Sequence, residues 1–307
     1  MAAQPRRIGL PAIPLADMIP SWTLSLEAEN KSANTIRHYT SAVAALHAWT
    51  GGQATTDITT DQLRAFLAAE IDRGLAAASV ASRFRYLRVF FTWLAAEEPS
   101  LMPASPMRGL KSPAVPRTRK PPLADDDIRR LLAACKPDSF EARRDIAIIR
   151  VLIDTGMRVG GLAGLTVTDV HLSQKYLTII LKGGDETAVP IGKKTVAAID
   201  KYLRARVRHS HAARDDALFL GLRGGLRPWG IENIIRNRAE AAGVEGVHPH
   251  RFRRTFSQKW LAEGGTELDL MKITGWKTRE MIDVYAGEIG EERARAAHAR
   301  LSIGDRI

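Results

Sequence analysis

Residues 248–255, which read HPHRFRRT, constrain this chain more than any other stretch. Pro249 suits the first turn of an α-helix, because its missing N–H would have no partner there in any case. In a helix over 249–262, aromatic residues recur every four positions on one face: Phe252, Phe256 and Trp260. The adjacent face carries groups that can donate to an anion: His250, Arg253 and Ser257. A rigid set of donors suits a phosphate better than a neutral ligand, although a solvated basic face gives the same local pattern.

The charge of the chain points to a polyanionic partner. Its 307 residues include 45 Lys and Arg against 34 Asp and Glu, which gives a formal net charge of +11. A folded protein this basic commonly binds nucleic acid, but a basic protein without that role has the same composition. The length suits two domains, and 45% hydrophobic residues are enough to form their cores.

The single cysteine, Cys135, excludes an intramolecular disulfide and favours a reducing compartment. It follows an apolar run, so we expect it to be buried. The N-terminal segment lacks the apolar stretch of a secretory signal, and no apolar run reaches the length of a membrane span. We therefore expect a cytoplasmic protein with no membrane partner.

Four helical patterns over residues 14–98 predict a small all-α domain. They cover Leu15–Ala28, Ala33–Trp49 after the N-cap Ser32, a segment from the N-cap Thr60 or Asp61 to Gly74, and a segment starting at Ser79. Pro20 interrupts the first pattern and makes it the weakest. The third is expected to bury Leu63, Phe66, Leu67 and Ile71. The fourth carries arginines on its polar face, which predicts a basic surface: Arg83, Arg85 and Arg88.

Two segments outside this domain are expected to be extended. Residues 1–13 show no periodicity and predict a flexible N-terminus. Residues 99–122 are rich in proline and basic residues, which is typical of a semi-extended linker. Its basic side chains favour a segment that lies along a phosphate backbone, with Arg117, Arg119 and Lys120 as the candidate contacts. A disordered spacer has a similar composition.

Residues 123–307 predict a second domain of mixed structure. Asp125 is expected to cap a helix rather than to bind a metal. Further helices are predicted over Phe140–Thr155 with Gly156 as the terminating residue, Lys194–Val207, Pro228–Ala242, Thr266–Thr274, Thr278–Ala286 and a tail over 291–301. Alternating segments predict strands at Val167–His171, Tyr176–Leu181 and Glu186–Pro190.

Four motifs in sequence order resemble the tyrosine recombinases, or phage integrases. The first is TGMRVGGL at 155–162, and the second is Lys182-Gly183 with Pro190 in the predicted hairpin. The third is the His-x-x-Arg-x-Thr pattern that begins at His250, and the fourth comprises ITGW at 273–276 and MIDVY at 281–285. The resemblance implies a mainly α fold with a small antiparallel β-sheet. It implies an N-terminal four-helix core-binding domain, which clamps DNA, and a C-terminal α+β catalytic domain.

The resemblance also implies the site. The catalytic residues would be Arg158, Lys182, His250, Arg253, Trp276 and the nucleophile Tyr285. The arginines, the histidine and the tryptophan would stabilise the extra charge on the non-bridging oxygens of a phosphorane, so no metal or other cofactor is needed. His250 is a candidate base for the Tyr285 phenol, and Lys182 a candidate donor to the leaving 5′-oxygen. The product is a 3′-phosphotyrosine, which conserves the energy for rejoining.

Two positions depart from the family pattern. The family usually has Glu where Gly161 stands, and that acid supports the site. At the hairpin, Asp185 and Thr187 stand where further basic residues are usual. These departures favour a divergent lineage of mobile elements.

We therefore expect a site-specific recombinase that integrates or excises a phage or mobile element on bacterial host DNA. About a dozen residues precede the first helix, so no arm-binding domain is expected. The alternatives are a Xer-like resolving recombinase, a non-catalytic DNA-binding regulator derived from a recombinase, and a nicking-closing topoisomerase. The implied DNA partner is a pair of double-stranded attachment sites. On these two sites the protein is expected to form a homotetramer, and to be a monomer when free. A directionality factor or a host DNA-bending protein is a further implied partner. The tail is expected to exchange between subunits.

Overall fold

The chain folds into two compact units, Met1–Arg119 and Lys120–Ile307. A computed structural model describes residues 13–116, 121–136, 138–180, 186–282, 290–302 and 304. The predicted flexible segment 1–13 therefore lies outside the described residues except for Ile13. Within the described parts the fold is mainly helical with small antiparallel sheets, which confirms the predicted class.

The N-terminal unit is helical. Its elements are a 3₁₀ turn at Leu15–Met18, α1 (Ile19–Ala28), α2 (Ala33–Trp49), a 3₁₀ turn at Thr55–Asp57, α3 (Thr60–Asp72) and α4 (Ala77–Glu97). Aromatic side chains fill its core, where the Trp22 and Phe90 rings lie 5.0 Å apart, edge to face. Such pairs add to the stabilisation that burial alone provides.

The starts of α1, α3 and α4 differ from the prediction, whereas the start of α2 agrees with it. Pro20 lies in the first turn of α1 and does not interrupt it, because no N–H is needed there. Thr59, not Thr60 or Asp61, caps α3, since Thr59 and Gln62 form a reciprocal capping box. Helix α4 begins at Ala77, two residues before Ser79. The Ser32 cap of α2 is confirmed.

Residues 99–110 do not form a semi-extended linker. Met102 and Met107 are 5% and 2% exposed and belong to the core of the N-terminal unit. The Thr60 hydroxyl donates to the Pro106 carbonyl oxygen at 2.7 Å and ties this segment to α3. Methionine fills irregular gaps in a core readily, and the proline-rich composition did not reveal that role.

The C-terminal unit combines helices with two small sheets. The helices are α5 (Asp125–Ala133), α6 (Phe140–Thr155), α7 (Val159–Ala163), α8 (Lys193–Arg206), α9 (Pro228–Ala242), α10 (Pro249–Ala262), α11 (Glu267–Thr274) and α12 (Gly290–Leu301). Strands β1 (Val170–His171), β2 (Tyr176–Ile180) and β3 (Glu186–Pro190) form an antiparallel sheet in that order. Strands β4 (Leu220–Gly221) and β5 (Gly224–Gly225) form a second one.

Most boundaries in this unit agree with the sequence, and two differ for local reasons. The predicted first strand is shorter, because Thr166 and Asp169 form a capping box that turns residues 167–169 into a 3₁₀ turn. Asp125 does not cap α5; it is the first helical residue and pairs with Lys259 of α10. Of the predicted helix over 278–286, only residues 280–282 are described as helical.

A buried acid connects three elements of the C-terminal core. Asp145 of α6 is 3% exposed and pairs with Arg144 at 2.9 Å and with Arg238 of α9 at 2.7 Å. Arg144 also donates to the Leu220 carbonyl oxygen of β4, and Arg238 to that of Ala134. These bonds fix α9 and the second sheet against α6.

Cys135 is buried nearby, as expected, and burial raises the pKa of its thiol to about 11. None of the described helices combines the length and the hydropathy needed to cross a bilayer.

Candidate active site

Helix α10 presents the residues of the HPHRFRRT run. His248 is its N-cap residue and Pro249 lies in its first turn. Phe252 is fully buried in the main core, which holds the helix in place. Phe256 and Trp260 pack against a smaller cluster that contains Leu261, Leu270, Trp276 and Ile282. The predicted apolar face is confirmed.

The adjacent face is more buried than its polar sequence suggests. Arg253 is 3% exposed and Ser257 is 0% exposed. The Ser257 hydroxyl donates to the Arg253 carbonyl oxygen at 2.9 Å, so it bonds within its own helix. Of the three side chains predicted to share this face, only His250 is exposed.

Arg253 lies between the C-terminal ends of two helices. Its Nη1 donates to the Gly156 carbonyl oxygen at 2.9 Å, and its Nη2 donates to the Thr274 carbonyl oxygen at 2.8 Å. Gly156 ends α6 and Thr274 is the last residue of α11, so both carbonyl groups lie at the negative ends of helix dipoles. Hydrogen bonds from a cation to such groups stabilise the buried charge and fix the plane of the guanidinium.

Both of these helix ends require glycine. Gly156 has φ +58° and Gly275 has φ +67°, in the left-handed region that favours glycine. A Cβ atom at Gly156 would lie 2.6 Å from a ring carbon of Phe256. Helices α6 and α10 can therefore approach this closely only with glycine at position 156. The prediction that Gly156 terminates the helix is confirmed.

Trp276 also contacts the Arg253 guanidinium. It is 4% exposed, and the Arg253 guanidinium carbon lies 4.8 Å from its ring centroid. At this distance the ring face attracts the cation. The prediction that the ring N–H of Trp276 reaches a phosphate oxygen stays a prediction.

Arg158 and His250 complete the described part of the site. Arg158 is exposed and is the N-cap residue of α7. Partial desolvation lowers the pKa of His250, and the nearby His248, Arg253, Arg254 and Arg158 lower it further. The motifs at 155–162 and 248–255 therefore meet in space, although they are far apart in sequence. The positive surroundings favour a neutral His250 imidazole near pH 7.

Five predicted residues lie outside the described residues. They are the catalytic candidates Lys182 and Tyr285 and the linker candidates Arg117, Arg119 and Lys120. Strands β2 and β3 flank the Lys182 segment in the sequence. Tyr285 lies three positions after Ile282 in the sequence. Ile282 is 1% exposed and belongs to the cluster around Trp276. Their assigned roles remain predictions.

The arginines of α4 differ in their surroundings. Arg85 and Arg88 are exposed, while Arg83 is half-buried and pairs with Glu70. Glu70 is 3% exposed and also pairs with Arg73 at 2.7 Å. Sequence reasoning missed this acid, although its spacing from Leu63 and Phe66 puts it on the buried face of α3. The expected buried residue Ile71 is instead 48% exposed.

The described residues contain no group of three His, Cys, Asp or Glu side chains that could hold a metal ion. The site offers two cations, Arg158 and Arg253, of which Arg253 is fixed by backbone carbonyl groups, and the His250 imidazole, which both arginines influence. Sequence reasoning also missed the carbonyl groups of Gly156 and Thr274, because backbone partners leave no residue-type signal.

Gly161 has a clear structural context. Arg158 is the N-cap of α7, so Gly161 stands three residues later at the N3 position. An acid at N3 can accept a hydrogen bond from the N-cap backbone N–H, which is one of the two bonds of a capping box; the other needs a side-chain acceptor at the N-cap, which Arg158 lacks. A Cβ atom at Gly161 would meet nothing within 4 Å. The family's usual Glu would therefore fit here and would fix the residue that carries the Arg158 guanidinium.

Gly161→Glu is expected to stabilise the protein by about 0.5–1 kcal/mol and to speed covalent attachment to DNA, because it adds helix propensity and restrains Arg158. Thermal unfolding and the rate of covalent complex formation on a nicked site measure the two effects. Gly160→Glu is the matched control, since a Cβ there also meets open space but position N2 lacks the capping-box bond. Equal rate effects of the two variants would contradict the role given to N3.

Two family models match the chain. The model of the phage integrase family covers residues 122–289, and that of the phage integrase N-terminal SAM-like domain covers residues 19–98. The chain thus belongs to the phage integrase family of tyrosine recombinases, enzymes that cleave and rejoin DNA strands. The resemblance drawn from the four motifs is confirmed.

Curated relatives of similar length carry the name Xer. The tyrosine recombinase XerC of Corynebacterium efficiens is 31% identical over 251 residues, which cover 80% of this chain and 79% of the relative. The tyrosine recombinase XerD of Proteus mirabilis is 31% identical over 273 residues, which cover 87% and 86%. These relatives are thus named as Xer recombinases and not as phage integrases, which was the expected role.

Solved structures show the same fold. The Tn1549 transposon integrase in complex with transposon right end DNA aligns with a TM-score of 0.74 at 17% identity, over 94% of this chain and 100% of that chain. A lambda integrase dimer bound to a COC′ core site aligns with a TM-score of 0.72 at 18% identity, over 89% and 77%. At this identity the likeness shows the fold and no more.

Proposed function

We propose that this chain is a Xer-type site-specific recombinase, which exchanges strands between two like DNA sites. The observation that carries the proposal is the match to XerC and XerD across both units of the chain and most of each relative. This role replaces the mobile-element integrase as the favoured one. The departures at Gly161 and at the hairpin do not outweigh that match.

The partner is double-stranded DNA. The net charge of +11 and the exposed Arg85 and Arg88 supply the electrostatic attraction. The lambda and Tn1549 integrases, which share the fold, were solved bound to DNA. Arg83 is expected to contribute less than its neighbours, because it is half-buried and already pairs with Glu70. The linker candidates Arg117, Arg119 and Lys120 are proposed to contact phosphates, and bacterial DNA is the proposed location.

The assembly is proposed to be a homotetramer on two sites. A lambda integrase tetramer bound to a Holliday junction shares the fold, with a TM-score of 0.69. Helix α12 exposes most of its described side chains, including Leu301 at 50%, so it is suited to packing on a neighbouring subunit. A directionality factor or DNA-bending protein stays a prediction from the resemblance.

The proposed chemistry uses the site as follows. Arg158 and Arg253 bind the non-bridging oxygens of the scissile phosphate. Tyr285 Oη attacks phosphorus and its proton passes to His250, while the bond from phosphorus to the 5′-oxygen breaks. Lys182 gives a proton to that oxygen. The 3′-phosphotyrosine is then attacked by a 5′-hydroxyl of the second site, which releases Tyr285 and rejoins the strand.

The test begins with a site selected by the protein itself from random duplexes. Two identical copies of that site in direct repeat on one plasmid are then incubated with the protein. Deletion of the segment between them supports the Xer-type role. Exchange only between two different sites would favour an integrase, and relaxation without exchange would favour a topoisomerase. Binding without any covalent complex would favour the regulator.

A further inference from the structure

A second imidazole lies beside His250. The His248 and His250 rings are nearly parallel, with 6° between their planes and 6.5 Å between their centroids. His248 has extended backbone angles of φ −153° and ψ 161°, as expected for a residue before proline. Pro249 is buried, so the backbone that carries His248 is held at the start of α10. None of the four family motifs includes His248.

The charges around His250 give this neighbour a particular importance. Among the described residues, the groups that act on His250 are His248, Arg253 and Arg254 of the α10 segment, and Arg158 from the start of α7. The three arginines are always protonated at neutral pH. His248 is therefore the one member of this set whose charge changes near neutral pH. Partial desolvation has the largest lowering effect on the pKa of His250, and His248 has the second largest.

We propose that His248 is a positioning residue of the active site, whose imidazole is fixed parallel to that of His250 and disfavours a proton on it before the reaction. The two rings then titrate as a pair that holds fewer protons than two independent histidines. His250 is neutral when Tyr285 loses its proton, and can accept that proton as the Oη–P bond forms. This inference rests on the proposed function for the role of His250, but the pairing of the rings does not.

The expected effect follows from the distance. A unit charge 6.5 Å from His250 shifts its pKa by about 0.5 in a water-like dielectric and by up to about 2 in a protein-like one. Removing the charge of His248 should therefore raise the pKa of His250, by less than this full shift because His248 is only partly protonated over the range in which His250 titrates. Since coupling is reciprocal, removing His250 should raise the pKa of His248 by a similar amount.

The experiment is an NMR titration of the full chain with ¹³C-labelled histidine, with no DNA present. His248→Asn is the test variant, because asparagine also suits an N-cap and so preserves the start of α10. His248→Lys restores a permanent charge and should keep the pKa of His250 low. His38→Asn is the matched control, since His38 is exposed in the N-terminal unit. An unchanged pKa of His250 in His248→Asn, or an equal shift in His38→Asn, would overturn the inference.

The reaction supplies a second readout. The pH at which the rate of covalent complex formation falls on the acid side should move higher in His248→Asn, by the same amount as the pKa of His250, and should return in His248→Lys. If the pKa of His250 changes but the pH dependence of the rate of covalent complex formation does not, the link between the His248–His250 pair and the reaction is overturned. If wild-type protein forms no covalent complex at all, the proposed function fails, while the titration still decides the pairing.

Discussion

Tyr285→Phe is expected to abolish the covalent protein–DNA complex and strand exchange. Phenylalanine lacks the oxygen that forms the bond to phosphorus, and no other group in the proposed scheme replaces it. The matching MIDVY motif is the basis for choosing Tyr285. Incubation with a site that carries a nick or a bridging phosphorothiolate, followed by a denaturing gel, measures the effect. Wild-type protein should give a retarded band, and the variant none.

DNA binding by Tyr285→Phe separates chemistry from folding. The affinity for the same site should stay within about threefold of wild type, because the phenol hydroxyl contributes one hydrogen bond at most. Tyr176→Phe is a matched control that removes a hydroxyl from strand β2. It should retain the covalent band. A retarded band that persists in Tyr285→Phe would show that another residue is the nucleophile, and would overturn the assigned role.

Arg253→Gln is expected to damage both the fold and the reaction. Arg253 is buried and donates to the carbonyl oxygens of Gly156 and Thr274. Glutamine is shorter and carries both of its N–H donors on one nitrogen, so it cannot span the two carbonyl groups, and buried acceptors lose their partners at a cost of about 2–5 kcal/mol. For a unit of this size that corresponds to a loss of about 5–15 °C in Tm. Loss of the cation from the phosphate site should also prevent covalent attachment.

Arg253→Lys distinguishes charge from geometry. Lysine keeps the positive charge but cannot form the planar fork that joins the two helix ends. We expect a smaller loss of stability than in Arg253→Gln, and still a loss of covalent complex of at least about tenfold. Arg254→Gln is the matched control on the same helix, because Arg254 is half-buried and lies next to Arg253. Unfolding curves of Arg253→Gln that match those of Arg254→Gln would contradict the buried role of Arg253.

Tyr285 and Arg253 differ in what the sequence and the structure each reveal about them. Tyr285 is identified by its motif, and its role is a chemical one that any tyrosine at that place would fill. Arg253 is identified by its motif too, but the sequence presented it as a donor on a polar face. The structure adds a second role, since its guanidinium joins the ends of α6 and α11. One side chain is thus proposed to serve the fold and the reaction together.

The sequence by itself determined the features that depend on neighbouring residues. The Ser32 cap of α2, the left-handed Gly156 after α6 and the start of α10 at Pro249 all follow from signals within one helical turn. The family also follows from sequence, because four motifs in order are specific even when each alone is weak. At Thr59 the prediction was wrong, although the capping box that begins the helix spans only the four residues from Thr59 to Gln62.

Only the tertiary structure decided which groups surround the site. Arg253 meets a carbonyl oxygen 97 residues away and another 21 residues away, and neither partner is marked by its residue type. The pairing of Arg83 with Glu70 and the burial of Met102 and Met107 were likewise hidden. The physical reason is the same in each case. Local sequence fixes backbone conformation over a few residues, whereas burial and long-range hydrogen bonds depend on how whole helices pack.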